Sequence, residues 1–312
     1  MGIAMSPSML DIVICTYNRA DVLRKNLERL LPLVEKESGV TVLVVDNNSP
    51  DNTADTVRAV QERYPGLLRY VHEPAQGVAN ARTRGFREAT AEWVGYLDDD
   101  THPHANWVSR SLEVIRSGDF DAFGGGYLPW HYYPGKPDWF PEGTSSLNME
   151  GKKYGPMPAD ESAWGGNMFC RRDLMGRTGG FDPAAGMQGD KPGYGEENLF
   201  CDALRALGAR IGQVPDLLVD HCVMPVKYTM RWHFASNFAK GKISWKLTGK
   251  RPTAGKSMTL MISLPFIILR DTVRGVARLG REKKLTPQAW AFFVGSRAAM
   301  RLGRIAGCFA KD

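Results

Sequence analysis

CxxC pairs and apolar runs long enough to cross a bilayer are missing from this 312-residue sequence, so neither a disulfide framework nor a zinc cluster is expected. Its five cysteines, Cys15, Cys170, Cys201, Cys222 and Cys308, are odd in number and widely scattered with no CxxC pair. That disfavours zinc or thiol-redox work and makes a reducing compartment the expectation. Residues 1–9 carry neither a basic stretch nor an apolar core, so no export signal is expected and the active portion should face the cytoplasm. Residues 258–269 are apolar but only about 12 long and contain Pro265, whereas crossing a bilayer takes roughly 20. Phosphate-loop signatures fail as well. Gly255-Lys256-Ser257 has Lys250 where an upstream glycine is required, and Gly124-Gly125-Gly126 lacks the GxGxxG spacing and a following helix. Asp100, His102 and His104 stand close together, but no second ligand group with zinc spacing accompanies them.

Acidic residues are scarce only locally. The formal net charge is +6, yet residues 226–312 hold 18 Lys/Arg against 3 Asp/Glu, leaving 22 basic and 31 acidic residues elsewhere. An acidic part is thus joined to a basic tail. The tail reads as three helices, residues 228–247, 258–281 and 287–309. In the middle one Phe266, Leu269, Val273 and Val276 share a face while Arg270, Arg274, Arg278 and Arg281 recur on another; Arg297, Arg301 and Arg304 repeat the spacing. Apolar residues beside the basic ones favour an anionic membrane surface over nucleic acid, with helices lying on the bilayer rather than spanning it. A solvated basic face on helices packed against the catalytic part is the plainer alternative.

What is present begins with a rhythm. Short apolar runs at residues 11–15, 41–45, 67–71 and 93–97 alternate with helical spacing over 20–34, 53–63 and 78–89, capped by Asp21 and by Asp51 or Asn52. Such βαβ alternation predicts a parallel sheet whose strand ends gather residues 16–19, 46–49, 73–77 and 98–100 on one rim. Residues 124–165, rich in Gly, Pro and aromatics such as Trp130, Tyr132, Tyr133, Trp139 and Phe140, read as a loop-rich segment. Its flat rings suit either sugar binding or a small satellite core. A strand at 164–170 and a helix at 196–207 follow.

The densest chemistry is the triplet Asp98-Asp99-Asp100 at the end of the fourth apolar run. Carboxylates this close repel one another unless a divalent cation or a set of donors neutralises them, so an oxygen-ligand site for Mg²⁺ or Mn²⁺ is expected. Because Mg²⁺ keeps few protein ligands and shares itself with phosphates, the triplet also points to a phosphorylated substrate. An acidic turn capping the next helix is the bland reading.

Six segments fall in order along the chain: Ile14-Cys-Thr-Tyr-Asn-Arg19, Val44-Val-Asp-Asn-Asn-Ser49, Gln76-Gly-Val-Ala-Asn-Ala-Arg82, Leu97-Asp-Asp-Asp100, Gly165-Gly-Asn-Met168 and Gly195-Glu-Glu-Asn198. On these motifs, over about residues 10–225, the chain resembles the bacterial family 2 glycosyltransferases of the GT-A fold. The resemblance implies a mixed, mostly parallel α/β domain at 1–225, with a nucleotide-binding half at about 10–100 and an acceptor-binding half at 124–225. The basic helical extension occupies 226–312. It also implies a nucleotide-sugar site. Asp46 would accept the N–H of a base, Thr16 and Tyr17 would line the base and ribose, and Arg82 would meet the diphosphate. Arg19, Asn48, Gln76 and Gly77 belong to the same set, and Trp164, Gly165, Gly166 and Asn167 would form the wall under the donor sugar. Asp98 and Asp100 match the family's Asp-x-Asp pattern for ribose and metal, Asp99 stays a candidate, and His221 would complete the metal shell or touch the diphosphate. Asp46 as an Asx-turn, Arg82 as a surface salt bridge and His221 as a structural histidine stay open.

Transfer with inversion needs a base opposite the leaving group. Glu197 matches the second acid of the family's pair, and a carboxylate beside a carboxylate is pushed toward a useful pKa; Glu196 would then contact the acceptor. This chain has Glu-Glu where Glu-Asp is usual, so either acid can be the base. The expected activity moves a sugar from a UDP-, GDP- or dTDP-linked donor to an acceptor hydroxyl. The amphipathic tail points to a lipid-linked saccharide in cell-surface polysaccharide assembly and to a peripheral position at the inner face of the plasma membrane. The alternatives are a nucleotidyltransferase, which would want a basic glycine-rich loop where Thr16-Tyr-Asn-Arg19 stands, and a non-catalytic sugar-nucleotide or membrane-binding module.

Overall fold

The sheet grows from strands that are apolar almost throughout. The computed structural model describes residues 8–140, 147, 149–250, 253–281 and 285–309. Residues 1–7, parts of the aromatic stretch (141–146 and 148) and parts of the basic tail (251–252, 282–284 and 310–312) lie outside the described residues, as do the side chains of Ala254, Lys256 and Ser257. In order come β1 (Leu10–Thr16), α1 (Ala20–Val34), β2 (Val40–Asp46), α2 (Thr53–Arg63), β3 (Leu68–His72), α3 (Val78–Glu88) and β4 (Trp93–Leu97). Next are β5 (Thr101–Pro103), α4 (Trp107–Ser117), β6 (Ala122–Trp130), β7 (Gly155–Pro156), β8 (Asn167–Arg171), α5 (Arg172–Thr178), α6 (Glu196–Ala206) and β9 (Ile211–Cys222). A 3₁₀ turn (Pro225–Tyr228) leads to α7 (Met230–Thr248), α8 (Ala254–Arg281) and α9 (Pro287–Cys308).

The first half follows the expected rhythm. Strand order is β3-β2-β1-β4-β8-β6-β9-β5, with β7 also pairing β9. The β1–β2, β1–β4 and β2–β3 pairs are parallel, whereas β8 runs antiparallel to both β4 and β6. Register sets Thr16 beside Asp46 and Asp46 beside His72, so the carboxyl ends of these strands share one edge. Leu23, Leu27, Leu30 and Leu31 of α1 pack with Ile12, Ile14 and Val44 on one side of the sheet, while Ala79, Ala81 and Phe86 of α3 pack with Val13, Leu43 and Val45 on the other. Each fully buried Leu or Ile contributes about 1.5–3 kcal/mol.

Two expectations need correcting. Residues 122–130 are a strand inside the sheet rather than the start of a loop. The glycines are there for close packing: a methyl group at position 125 would lie 1.8 Å from the Leu217 carbonyl oxygen, and one at 124 would lie 2.7 Å from Ala163. Nor does Asp21 or Asn52 cap a helix through its side chain. Asp51 serves both helices: Oδ2 accepts from Ala20 N at 3.0 Å, and Oδ1 accepts from Thr53 N at 3.1 Å and from the Thr53 hydroxyl.

The chain divides into two compact units, residues 1–130, 145–189 and 196–222 in the first and 131–144, 190–195 and 223–312 in the second. In the second, Phe140, Val223 and Tyr228 form a small core with Tyr133 and Trp139 against it, and the Trp139 ring meets Phe292 at 5.2 Å. Of the two uses foreseen for the aromatic stretch, these residues take the satellite core. Helix α8 keeps an apolar face exposed: Ile262 at 68%, Phe266 at 73%, Leu269 and Val273 at 63%. No helix among the described residues is long and apolar enough to cross a membrane.

Candidate active site

The rim loops are bound to one another by short polar contacts. Thr16 Oγ1 donates to Asp99 Oδ2 at 2.7 Å, Asn18 N donates to Ser49 Oγ at 2.9 Å, and the Gln76 amide donates to the Asn47 carbonyl. Asn47 is buried and acts as the hub: its amide donates to the carbonyls of Glu73 and Ala75, and its Oδ1 accepts from Gly77 N at 2.8 Å. Asn48 turns the chain with φ of 63° and presents Oδ1 to His72 Nε2 at 3.2 Å. Asp46 is buried, with Oδ1 accepting from Ser49 N at 2.9 Å as in an Asx-turn and Oδ2 accepting from Tyr70 OH at 2.8 Å. Each of these oxygens keeps a second lone pair. Tyr17 lies with Gln76 beneath the loop at Gly189, where a methyl group would come within 3.5 Å of the Tyr17 ring.

The acidic triplet is neutralised mainly by two arginines. Arg19 Nη1 donates to Asp99 Oδ1 at 2.9 Å and lies 3.4 Å from Asp100 Oδ2. Burial pushes the Asp99 carboxyl up to about 6 against the pull of Arg19, and it raises Asp98 in the same way against Arg82. Asn26 fixes the backbone of the turn, donating to the carbonyls of Asp98 at 2.8 Å and Thr101 at 2.6 Å.

Arg82 is buried rather than on the surface. Nη1 donates to Glu196 Oε1 at 2.6 Å and Nη2 donates to Asp98 Oδ1 at 3.2 Å, so one guanidinium joins the triplet to the start of α6. Burial works against its charge, but Glu196 and Asp98 more than offset it and hold the group more basic than usual. Gly165 and Gly166 allow this approach: a methyl group at 165 would lie 2.5 Å from Arg82 Nη1, and one at 166 would lie 2.4 Å from Asp98 Oδ2. Glu196 is thereby engaged by Arg82, whereas Glu197 Oε2 is buried without a hydrogen-bond partner. Burial, then the adjacent Glu196, raises the Glu197 carboxyl to about 8.

Asn167, expected in the wall under the sugar, is turned into the sheet. Its Oδ1 accepts from Trp107 Nε1 at 2.9 Å and its amide donates to the carbonyls of Gly126 and Leu217, so the side chain ties α4, β6 and β9 together. Trp164 packs on Tyr127 and His221, with centroids at 4.0 and 5.3 Å. His221 Nε2 lies 3.6 Å from Asp100 Oδ1. Among the described residues no three His, Cys, Asp or Glu side chains form a ready-made metal cage. The Asp100–His221 pair with Asp98 nearby fits a hard cation that takes few protein ligands and completes its shell with substrate phosphates. Asn26, Asn47 and Tyr70 are site-building residues that sequence reasoning passed over. Asn26 carried a signal, an amide on the apolar face of α1.

Comparison with known proteins finds relatives in sequence and in fold. The succinoglycan biosynthesis protein ExoM of Rhizobium meliloti (strain 1021) is 26% identical over 246 residues, 78% of this chain and 76% of its own. The glucosyl-dolichyl phosphate glucuronosyltransferase of Haloferax volcanii is 24% identical over 240 residues, 74% of this chain and 75% of its own. The mannosyltransferase PcManGT of Pyrobaculum calidifontis, solved with GDP-Man and Mn²⁺, superposes with a TM-score of 0.63 over 98% of this chain and 89% of its own at 16% identity. S. aureus TarS 1–349 in complex with UDP-GlcNAc gives 0.53 over 96% and 90%, also at 16% identity. These likenesses establish the GT-A type fold. The pattern of glycosyl transferase family 2 matches residues 11–176, more than half of the sequence, and the chain belongs to that family.

Proposed function

We propose that the chain transfers a sugar from a nucleotide-diphosphate donor to an acceptor hydroxyl with inversion, and that Glu197 is the base. The observation that carries the reading is the line of contact from Asp98 through Arg82 to Glu196, which sets the unpartnered Oε2 of Glu197 at the next residue. A buried carboxylate oxygen without a donor is complementary to an incoming O–H. Glu197 takes the acceptor proton as the acceptor oxygen bonds to the anomeric carbon; the carbon–oxygen bond to the diphosphate breaks, and its electron pair leaves with the nucleotide. Asp98, Asp100 and His221 are the residues to hold Mg²⁺ or Mn²⁺, which when bound supplies Lewis-acid relief of charge on the departing diphosphate. Asp46, Thr16 and Tyr17 hold base and ribose. Arg82 and Arg19 orient the acids around the diphosphate rather than reaching out to it.

The acceptor is a lipid-linked saccharide, and the protein sits peripherally on the cytoplasmic face of an anionic membrane. The exposed face of α8 supports this, as does the name of the Haloferax relative, which specifies a glucosyl-dolichyl phosphate acceptor. A panel of UDP-, GDP- and dTDP-sugars with Mn²⁺, read by thermal shift, tests the donor assignment. One donor should raise the melting temperature in a concentration-dependent way. A flat response across the panel would remove the nucleotide sugar from the proposal.

A further inference from the structure

The carboxylate of Asp46 is held from an edge strand that none of the six sequence motifs includes. Tyr70 OH donates to Oδ2 at 2.8 Å, while Ser49 N donates to Oδ1 at 2.9 Å. Tyr70 comes from β3, which ends the sheet and pairs in parallel with β2. Its partner in register is Val44, two residues before Asp46, so the side chains of Tyr70 and Asp46 leave the same face of the sheet. The Tyr70 ring packs against the core that holds the leucines of α1, which restricts where its hydroxyl can go. Two further contacts tie this end of β3 to the same turn: Glu73 N donates to the Asp46 carbonyl at 2.8 Å, and His72 Nε2 lies 3.2 Å from Asn48 Oδ1.

A carboxylate with one fixed donor on each oxygen cannot turn about its last side-chain bond without breaking a hydrogen bond. Its remaining lone pairs therefore point in set directions. Burial, then the Asp46 carboxylate, pushes the Tyr70 hydroxyl up to about 12, so this group keeps its proton and donates throughout the neutral range. Acceptors fixed in this way suit one kind of base edge. Uracil, thymine and guanine carry a ring N–H on the pairing edge, whereas cytosine and adenine carry a lone pair there, which the carboxylate repels. Without the Tyr70 hydroxyl the carboxylate could turn aside from that lone pair, and the penalty would shrink.

Building on the reading that Asp46 meets the base, we propose that Tyr70 is a positioning residue for base selection: it fixes the rotation of the Asp46 carboxylate, so that the site takes bases with a ring N–H and refuses those with a lone pair in its place. Tyr70 acts through Asp46 rather than by contact with the donor.

The test measures nucleotide binding to the full chain by isothermal titration calorimetry with Mn²⁺ present, setting UDP against CDP and GDP against ADP. Within each pair the ribose and diphosphate are identical, so their contribution and that of the cation cancel in the ratio of affinities. Wild type should favour the N–H member of at least one pair by about tenfold or more, the scale of one charge-assisted hydrogen bond. D46N, whose amide can donate to a lone pair, should bring that ratio close to one. Y70F should lower it at least about fivefold, whereas Y64F, which takes a hydroxyl from a tyrosine packed on the same core at the far end of α2, should stay within about twofold. A wild-type ratio near one in both pairs, or a D46N protein that keeps the full ratio, removes the base from Asp46 and the role of Tyr70 with it. A ratio that collapses in D46N but holds in Y70F refutes the positioning role and leaves the base reading in place. So does a Y70F protein that loses affinity equally for both members of a pair, because a purely structural fault does not choose between bases.

Discussion

Replacing Glu197 with Gln isolates the proposed base, because the amide keeps the side chain's length while removing its titration. In the folded protein burial and the neighbouring Glu196 raise this carboxyl from the usual 4.5 to about 8. The folded state therefore prefers the protonated acid. Below about pH 4.5 folded and unfolded chains both hold the proton, and Glu197 is indifferent to small changes in pH. As pH rises toward 8 the unfolded chain releases the proton and the folded chain resists, so wild-type stability falls across that window. At about 1.4 kcal/mol per pKa unit the loss has a ceiling of roughly 5 kcal/mol. Urea titrations should find E197Q level with wild type near pH 4.5 and more stable by a widening margin up to about pH 8. Catalysis moves the other way. Wild-type kcat/KM should climb with pH and level off above about 8, whereas E197Q should lose about 10²–10⁴-fold in kcat with nucleotide affinity little changed. A variant that keeps a tenth or more of wild-type transfer, or a stability margin that stays flat with pH, refutes the assignment.

Three further outcomes test the surroundings. Arg82→Met should strand Glu196 as a buried carboxylate and cost about 3–5 kcal/mol in denaturant titrations; a loss near zero would mean the bridge from Asp98 to Glu196 does not hold the site. Gly166→Ala places a methyl group 2.4 Å from Asp98 Oδ2 and 2.6 Å from the Trp164 ring, so kcat/KM should fall at least about tenfold and more Mn²⁺ should be needed, with an overpacking loss of about 1–3 kcal/mol in stability. Transfer should vanish in EDTA and return on adding Mn²⁺ or Mg²⁺; rates unaffected by chelation would remove the cation from the proposal.

The first half of the sheet was legible because its physics is local. Strands buried on both faces read as unbroken apolar runs, and α1 to α3 carry helical spacing between them. Strands β6 and β9 hid for opposite reasons. Three glycines in β6 look like a loop until the Leu217 carbonyl, 1.8 Å from where a methyl group would sit, shows why nothing larger fits. Pro215 argues against a strand across 211–222, yet the β6–β9 ladder shifts register between Gly124 and Gly126 and passes it by. In the site, the acids were legible because they cluster at strand ends. Their pairing was not: Arg82 meets Glu196 across 114 positions and Thr16 meets Asp99 across 83, separations that no local spacing encodes. The family resemblance put Asn167 in the wall under the donor sugar, whereas its three hydrogen bonds belong to the sheet.

The interleaving of the chain between its two units limits how the protein can be cut or recombined. Residues 131–144 and 190–195 leave the first unit and return to it, and the second of these excursions runs directly into Glu196 and Glu197. Deleting everything after residue 222 would not release a tidy catalytic fragment. It would take Tyr228, His233 and Phe292 away from Trp139 and Phe140, exposing rings that now sit in a small core. The fragment would tend to aggregate for reasons unrelated to lipid. Swapping tails between relatives meets the same obstacle unless both excursions travel with the helices. The tail and the acids at 196 and 197 are thus tied by chain connectivity and do not behave as exchangeable cassettes.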